Sequence, residues 1–322
     1  MAPNITRVFT TALCLSLFAS CVNDKKTQQQ DESLTQQTQT GTEKPLFRLL
    51  PSSESGIDFA NTLAETDAMN IITYHYFYNG GGVACGDLNN DGLQDLYFTA
   101  NQLPDKLYLN KGNLKFEDIS DVLPPHKENS WNTGVTMADV NADGLMDIYV
   151  CRSGNLNPEN RKNVLLINQG NLKFKDEATE YGLDDPAYST QAAFFDYDKD
   201  GDLDMYLLNH EIDDITNYNK DIHKSRDPYV GDKLYRNDGA KFTEVSKEAG
   251  IYSSPYGFGL GVAIGDLNND TWPDIYVTND FLENDFMYFN NGDGTFTEKI
   301  HTATGHISNY GMGVDIADFN ND

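Results

Sequence analysis

The nonapeptide DLNNDGLQD, residues Asp87–Asp95, decides the fold because near copies of it recur along the chain. The copies are DVNADGLMD (Asp139–Asp147), DYDKDGDLD (Asp196–Asp204) and DLNNDTWPD (Asp266–Asp274). A further copy, DFNND, occupies Asp318–Asp322, and we expect it to be the start of a truncated fifth repeat. Self-similarity at intervals of roughly 50–70 residues predicts a repeat architecture such as a propeller.

The flanks of each nonapeptide indicate strands. Gly82-Val83-Ala84 precedes the first copy, and Leu96-Tyr97-Phe98 follows it as an apolar run with a central tyrosine. Each complete repeat continues to an Asn-x-Gly turn that is flanked by alternating apolar and polar residues, a pattern typical of a hairpin. We therefore predict an all-β fold: a calcium-binding β-propeller of four-stranded antiparallel blades, incomplete in this chain, with four repeats and a truncated fifth. The small residues are expected on the innermost strands, where blades crowd around the axis.

The acidic loops have the composition of a hard-cation site. Carboxylates or amides at loop positions 1, 3, 5 and 9 offer oxygens, glycine at position 6 allows a sharp turn, and the carbonyl of position 7 faces the ion. The predicted ligands are Asp87, Asn89, Asp91, Leu93, Asp95; Asp139, Asn141, Asp143, Leu145, Asp147; Asp196, Asp198, Asp200, Asp202, Asp204; Asp266, Asn268, Asp270, Trp272, Asp274; and, in the partial loop, Asp318, Asn320, Asp322. The sequence thus predicts four to five structural Ca²⁺ ions.

Other uses of the acidic loops fit the sequence less well. An EF-hand needs a glutamate at position 12, and that position holds Phe98, Val150, Leu207 or Val277. Zinc is disfavoured because no Cys or His accompanies the carboxylates, and magnesium prefers fewer protein ligands and more water. Asp/Asn/Gly clusters also make plain turns, but four in register favour calcium.

Two of the four loops depart from the common pattern. Thr271 stands where the other loops have glycine, and a positive φ at that position would strain a β-branched residue. The third loop has an aspartate at position 3, Asp198, where the others have asparagine. We expect weaker binding in the fourth loop, and either the tightest binding or the strongest repulsion in the third.

The N-terminal region is not expected to belong to the fold. Residues 1–20 combine one cation with the apolar run Val8–Ser20, which predicts a signal peptide. Small residues before Cys21 are typical of a bacterial lipobox, although an ordinary secretory signal with an incidental cysteine is the alternative. Residues 21–45 are almost free of apolar side chains and predict a lipid-anchored disordered tether. Residues 46–322 are assigned to the propeller, with Gly56–Thr62 as an outer strand that completes its final blade.

The charge of the chain excludes several functions. The 322 residues carry a formal net charge of −27, so a nucleic-acid backbone or an anionic lipid surface would be repelled. No metalloprotease His pair, Gly-x-Ser-x-Gly elbow or phosphate loop is present in the sequence. Because an anionic lipid surface would repel the acidic chain, attachment to the membrane is expected through the lipid anchor only.

The repeats resemble the FG-GAP/VCBS repeat, the calcium-binding blade of integrin-α-type propellers. The stretch from Phe59 to Asp95 and the run VTNDFLENDFMYFNNGDGTF (Val277–Phe296) are similar to the propeller of the bacterial ASPIC/UnbV, or cartilage acidic protein-like, family. The segment that follows the propeller in that family is absent from this sequence. The resemblance implies structural calcium on the lower-face loops and ligand on the upper face.

Four aromatic residues are candidates for the ligand face, because each precedes the first Asp of an acidic loop by about eight residues: Trp131, Tyr188, Phe258 and Tyr310. The alternative, which the sequence favours, is that they wedge neighbouring blades apart. We predict a non-catalytic, calcium-stabilised binding or adhesion module that recognises glycan or protein and is lipid-anchored to the outer membrane of the bacterial cell envelope. The alternative is an envelope polysaccharide lyase or hydrolase on a calcium-bearing propeller.

Overall fold

The computed structural model describes residues 46–154, 157–212, 225–281 and 283–320. The predicted signal peptide, Cys21 and nearly all of the tether lie outside these residues. The chain divides into two compact units, 1–49 and 50–322, and every strand lies in the second. No helix in the described part of the chain is both long and apolar enough to cross a bilayer.

The described strands form four antiparallel four-stranded sheets, and each sheet follows the order of the sequence. The first contains β1 (Val83–Gly86), β2 (Asp95–Phe98), β3 (Lys106–Asn110) and β4 (Phe116–Asp118). The second contains β5 (Asn132–Ala138), β6 (Asp147–Arg152), β7 (Val164–Asn168) and β8 (Phe174–Asp176). The third contains β9 (Ser189–Phe195), β10 (Asp204–Asn209), β11 (Lys233–Asn237) and β12 (Phe242–Glu244). The fourth contains β13 (Gly259–Gly265), β14 (Asp274–Asn279), β15 (Phe286–Asn290) and β16 (Phe296–Glu298).

Short helices lie in the connections before, within and after the sheets. They are Ser52–Ser55, the 3₁₀ turn Ser120–Val122, Pro158–Arg161, Ala178–Tyr181, Ser246–Ala249 and Ile300–Ala303. Four of these helical segments directly follow the outermost strand of a sheet. The meander of four strands per repeat confirms the predicted all-β blades.

Apolar side chains from facing blades form the core. One cluster joins the third and fourth sheets through residues such as Tyr206, Leu234, Val277 and Tyr288. A second joins the second and third sheets, and a third joins the first and second. Burying these faces removes apolar surface from water at ~25 cal/mol per Å², so each blade depends on its neighbour for stability.

The innermost strands β1, β5, β9 and β13 lie side by side in that order. Threonine hydroxyls join them across the blade boundaries: Thr133 Oγ1 donates to the Ser189 carbonyl over 2.7 Å, and Thr190 Oγ1 donates to the Gly259 carbonyl over 2.8 Å. A Cβ at Gly134 would lie 2.3 Å from the Thr190 carbonyl oxygen. This close approach confirms that the small residues occur where blades crowd together.

The predicted outer strand at Gly56–Thr62 is wrong, because the structure has no strand there. The segment instead packs along the first blade. The Phe59 ring stacks on Phe98 with centroids 4.9 Å apart, and Tyr108 Oη donates to Asp58 over 2.9 Å. Side-chain contacts rather than a backbone ladder therefore hold this segment.

Candidate functional site

All four complete acidic loops lie at the same end of the blades. Each connects the first strand of a sheet to the second: β1 to β2, β5 to β6, β9 to β10 and β13 to β14. In the first blade, Gly86 pairs with Asp95 directly beneath the loop. Because every acidic loop joins the first and second strands of its blade, the candidate metal ligands of all four blades lie on the same face.

The second loop illustrates how the acidic side chains shape the turn. Asp139 accepts the backbone N–H groups of Asp143 and Gly144 over 3.0 and 2.8 Å, and Asp143 Oδ1 accepts that of Leu145 over 2.9 Å. Gly144 has φ +85°, a conformation that glycine adopts without strain. The residues predicted as ligands therefore already converge inside the loop through bonds to its own backbone.

The last aspartate of each loop is fully buried. Asp147 Oδ1 accepts the Asn168 N–H over 2.8 Å, and Asp147 Oδ2 accepts the Val140 N–H over 3.1 Å. Burial raises the pKa of Asp147 to about 6, although the two N–H groups oppose that shift. Each oxygen keeps a further lone pair, so this carboxylate can both anchor the loop and face a cation.

The third loop fits a cation best. Ligand oxygens of Asp196, Asp198 and Asp204 lie within 4.8 Å of one another. The Oδ1 atoms of Asp196 and Asp202 are buried without a hydrogen-bond partner among the described residues. Burial, with like charge nearby, raises the pKa of Asp204 to about 7 and that of Asp202 to about 6. Unpaired buried carboxylate oxygens are what an oxygen-preferring cation would satisfy.

The fourth loop adopts the strained turn that its sequence predicted. Thr271 has φ +75°, in the region that β-branched residues avoid. The third loop supports it, because Lys199 Nζ donates to Thr271 Oγ1 over 3.0 Å and lies 4.2 Å from the centre of the Trp272 ring. In the same way, Asn90 Nδ2 donates to the Gly144 carbonyl over 3.0 Å. Neighbouring loops thus contact each other through position 4.

Of the partial fifth loop, Asp318 and Asn320 are described and Asp322 is not. The Asn320 N–H donates to Asp318 Oδ1 over 3.2 Å, as the N–H of Asn268 does to Asp266 Oδ1 over 3.3 Å in the fourth loop. The visible part of this loop therefore begins as a complete loop does.

The sequence analysis treated the turn asparagines only as hairpin signals, but they also bind the acidic loops. Asn168 Nδ2 donates to the Met146 carbonyl of its own loop over 3.1 Å and to the Leu88 carbonyl of the preceding blade's loop over 2.9 Å. Asn237 and Asn290 repeat this arrangement in the next two blades. The separation between the last loop aspartate and this asparagine varies, at 15, 21, 33 and 16 residues in the four blades, so the only signal in the sequence is that every complete repeat has one Asn-x-Gly turn.

The opposite end of the blades carries a second repeated contact. Tyr206 Oη donates to Asp232 Oδ2 over 2.9 Å, and Asp232 Oδ1 accepts the Asn209 N–H over 2.9 Å. The tyrosines Tyr97 and Tyr276 pair with Asp105 and Asp285 in the same way. In the second blade Asn163 replaces the aspartate and donates to Tyr149 Oη over 3.0 Å. The central tyrosine of each repeat is therefore a structural residue.

Two of the four candidate ligand-face aromatics are buried. Trp131 and Phe258 are each 3% exposed, because they pack with Tyr74, Tyr76 and Phe77. Neither ring offers an open face to a ligand here, and the segment that covers them was not anticipated from sequence. Of the other two, Tyr188 is half-buried with the Arg161 guanidinium 3.9 Å from its ring centre, whereas Tyr310 is 68% exposed.

Buried His210 contacts the segment that contains Tyr74, Tyr76 and Phe77, which we call the covering segment. His210 Nε2 lies 2.6 Å from Ser153 Oγ and 3.4 Å from Tyr74 Oη. Burial lowers the pKa of His210 to about 3, so the imidazole is neutral at physiological pH. Its Nδ1 has no hydrogen-bond partner among the described residues.

Comparison with known proteins agrees with this architecture. An FG-GAP-like repeat family model matches residues 87–150 and 266–322. The chain therefore contains FG-GAP-like repeats, and the predicted class of propeller repeat is confirmed.

The chain is also similar to cartilage acidic protein 1 from two vertebrates. It is 27% identical to the human protein over 75% of this chain and 37% of the human chain. It is 27% identical to the Xenopus tropicalis protein over 62% of this chain and 29% of that chain. The chain thus spans about a third of the length of these relatives. The similarity supports the cartilage acidic protein-like resemblance seen in the sequence.

Two solved structures share a weaker likeness. An Agrocybe aegerita lectin that recognises non-reducing terminal N-acetylglucosamine aligns with 67% of this chain and 50% of its own, at 17% identity and a TM-score of 0.40. The V. cholerae biofilm matrix protein Bap1 aligns with 67% of this chain and 27% of its own, at 14% identity and a TM-score of 0.34.

Proposed function

We propose that this chain is a non-catalytic binding module, stabilised by calcium, that recognises glycan or protein at the bacterial cell envelope. The observation that carries the calcium part is the third loop, where buried oxygens of Asp196 and Asp202 lack a partner beside Asp198 and Asp204. A cation would relieve the repulsion among these carboxylates and supply the missing contact.

The remaining loops would hold calcium with the same positions. In the second loop the ligands would be Asp139, Asn141, Asp143, the Leu145 carbonyl and Asp147. Calcium has a structural role in this proposal: it neutralises the loop charges and fixes the connection between the first two strands of a blade. A cation that binds only the folded state stabilises that state by mass action.

Binding of a ligand is assigned to the end opposite the acidic loops. The turn asparagines and last aspartates are engaged in holding the loop end together, which leaves the other end for recognition. That end carries the exposed Tyr310 and the half-buried Tyr188. Aromatic rings with polar tips are common in recognition surfaces.

The placement at the envelope rests on the sequence alone. Cys21 would carry the lipid, and residues 22–45 would act as a tether of ~25–30 Å root-mean-square span. Membrane retention of a Cys21→Ser variant, or a soluble and unmodified wild-type protein by mass spectrometry, would contradict this part.

A pull-down on immobilised envelope polysaccharides and proteins tests the binding function. We expect retention of the calcium-loaded protein without loss of the polysaccharide, and loss of retention in chelator. Depletion of the polysaccharide with release of shorter products would instead identify an enzyme. No retention on any envelope fraction would contradict a binding function.

A further inference from the structure

An open cavity of about 370 Å³ lies against the innermost strands of the four blades, with Leu260 as the contribution of β13. Gly82, Thr133 and Gln191 line it from successive blades, and Tyr74 and Trp131 line it where the covering segment packs. This size falls within the ~300–1,000 Å³ of typical small-molecule sites.

The cavity is electrically neutral in a very acidic protein. No Asp, Glu, Lys or Arg is among the described residues that line it, although the whole chain carries −27. His210, which also lines it, is held neutral by burial that lowers its pKa. A charged ligand would lose part of its hydration here without gaining a charged partner, which is unfavourable.

The cavity nevertheless offers several polar groups. The side-chain amides of Asn79 and Gln191 line it and make no hydrogen bond to another described residue. The innermost strands are also sheet edges, so part of their backbone faces the cavity without a strand partner. A purely apolar ligand would leave these donors and acceptors without water or a partner.

We propose that this cavity binds an uncharged sugar unit. Such a ligand combines several hydroxyl groups, which side-chain amides can bind as both donor and acceptor, with apolar ring faces that suit Val83, Leu260 and the edges of the aromatic rings. The assignment rests on the proposed binding function and deepens it, since it names the ligand class and the place.

Titration of the whole chain with small probes tests the assignment. Methyl β-glucopyranoside and N-acetylglucosamine are the neutral probes, glucuronate and glucosamine the charged ones, and N-acetylglycinamide the peptide-like one. Ligand-observed NMR and calorimetry should show binding of at least one neutral sugar and markedly weaker binding of its charged counterpart. Equal or tighter binding of the charged sugars, binding of the amide alone, or no neutral sugar binding would overturn the assignment.

Variants locate the site. Gln191→Leu removes the free amide and should weaken neutral sugar binding by roughly 5–10-fold. Val83→Phe adds bulk from an exposed position on β1 that lines the cavity and should abolish it. Gln169→Leu, on the exposed turn of the second blade, and Val122→Phe, in the turn after the first, are the matched controls and should bind as wild type.

The outcome separates this inference from the broader function. If polysaccharide retention persists while neither Gln191→Leu nor Val83→Phe affects sugar binding, the cavity assignment fails and the binding function stands. If neither polysaccharide nor sugar is bound by a calcium-loaded, folded protein, both fail. Circular dichroism melting of each variant checks that the fold is intact.

Discussion

Asn168 Nδ2 donates a hydrogen bond to the carbonyl oxygen of Leu88 over 2.9 Å, between residues that are 80 positions apart in the chain. The same side chain accepts the Gly170 N–H in its own turn, so one asparagine joins a hairpin to the acidic loop of the neighbouring blade. Asn110, its counterpart in the first blade, donates only to the Gln94 carbonyl of its own loop.

This difference predicts unequal costs for removing the two asparagines. Asn168→Ala leaves the buried Leu88 carbonyl and the partly buried Met146 carbonyl without this donor, and it should lower the free energy of unfolding by roughly 2–3 kcal/mol. Asn110→Ala is the matched variant and should cost about 1 kcal/mol, because Asn110 is half-buried and bridges no blades. Urea denaturation in calcium compares them, and equal losses would show that the contact between blades adds no stability.

Thr271→Gly should raise the free energy of unfolding by about 1 kcal/mol, because Thr271 holds φ +75° at a β-branched residue. It should also tighten calcium binding to the fourth loop. The converse change, Gly144→Thr, should cost a similar amount, since its φ is +85° and no atom lies within 4 Å of an added Cβ. Calorimetric titration and thermal melting measure both. Weaker calcium binding by Thr271→Gly would mean that the strain does not limit the site.

The extra carboxylate of the third loop predicts opposite effects with and without metal. Asp198→Asn should stabilise the protein in chelator by about 1 kcal/mol, because it removes one of several mutually repelling charges. In calcium it should weaken binding several-fold, because fewer charged ligands lower affinity. Asn141→Asp in the second loop should show the reverse of both effects. The same sign with and without calcium would exclude a metal from this loop.

A buried aspartate remote from the loops predicts a pH dependence. Burial raises the pKa of Asp232 to about 7, above the ~4 of an aspartate in an unfolded chain. The native state therefore binds more protons than the unfolded state between these values, so this group's contribution to stability is present below about pH 4 and is lost as the pH rises to about 7.

Asp232→Asn should remove that contribution. Asn163 already fills the equivalent position in the second blade, so the substituted amide can keep both contacts. We expect the variant to be more stable than wild type at pH 8 by roughly 1–2 kcal/mol, with a smaller difference at pH 4. Urea denaturation at the two pH values measures this. A variant that is less stable at pH 8 would show that the carboxylate is well accommodated in its ionised form.

Local patterns allowed much of the architecture to be predicted. The repeated nonapeptide, the tyrosine strands and the Asn-x-Gly turns predicted four-stranded blades, and the mismatch at Thr271 predicted a positive φ. These features depend on residues close in sequence and recur in each repeat. The covering segment at Tyr74 has no copy elsewhere in the chain, so neither its contact with Trp131 nor the cavity beneath it could be read from periodicity. The hydrogen bond from Asn168 to Leu88 depends on how neighbouring blades pack, so the sequence of one repeat could not predict it.

Thermal unfolding of the whole chain in millimolar calcium and in chelator, with elemental analysis of the same sample, tests the central claim most directly. If calcium relieves the repulsion among the carboxylates of the four complete loops and the partial fifth, we expect four to five bound calcium ions. The melting temperature should be at least about 10 °C higher with calcium than in chelator. Coincident melting curves, or a folded protein that contains no calcium, would contradict the account.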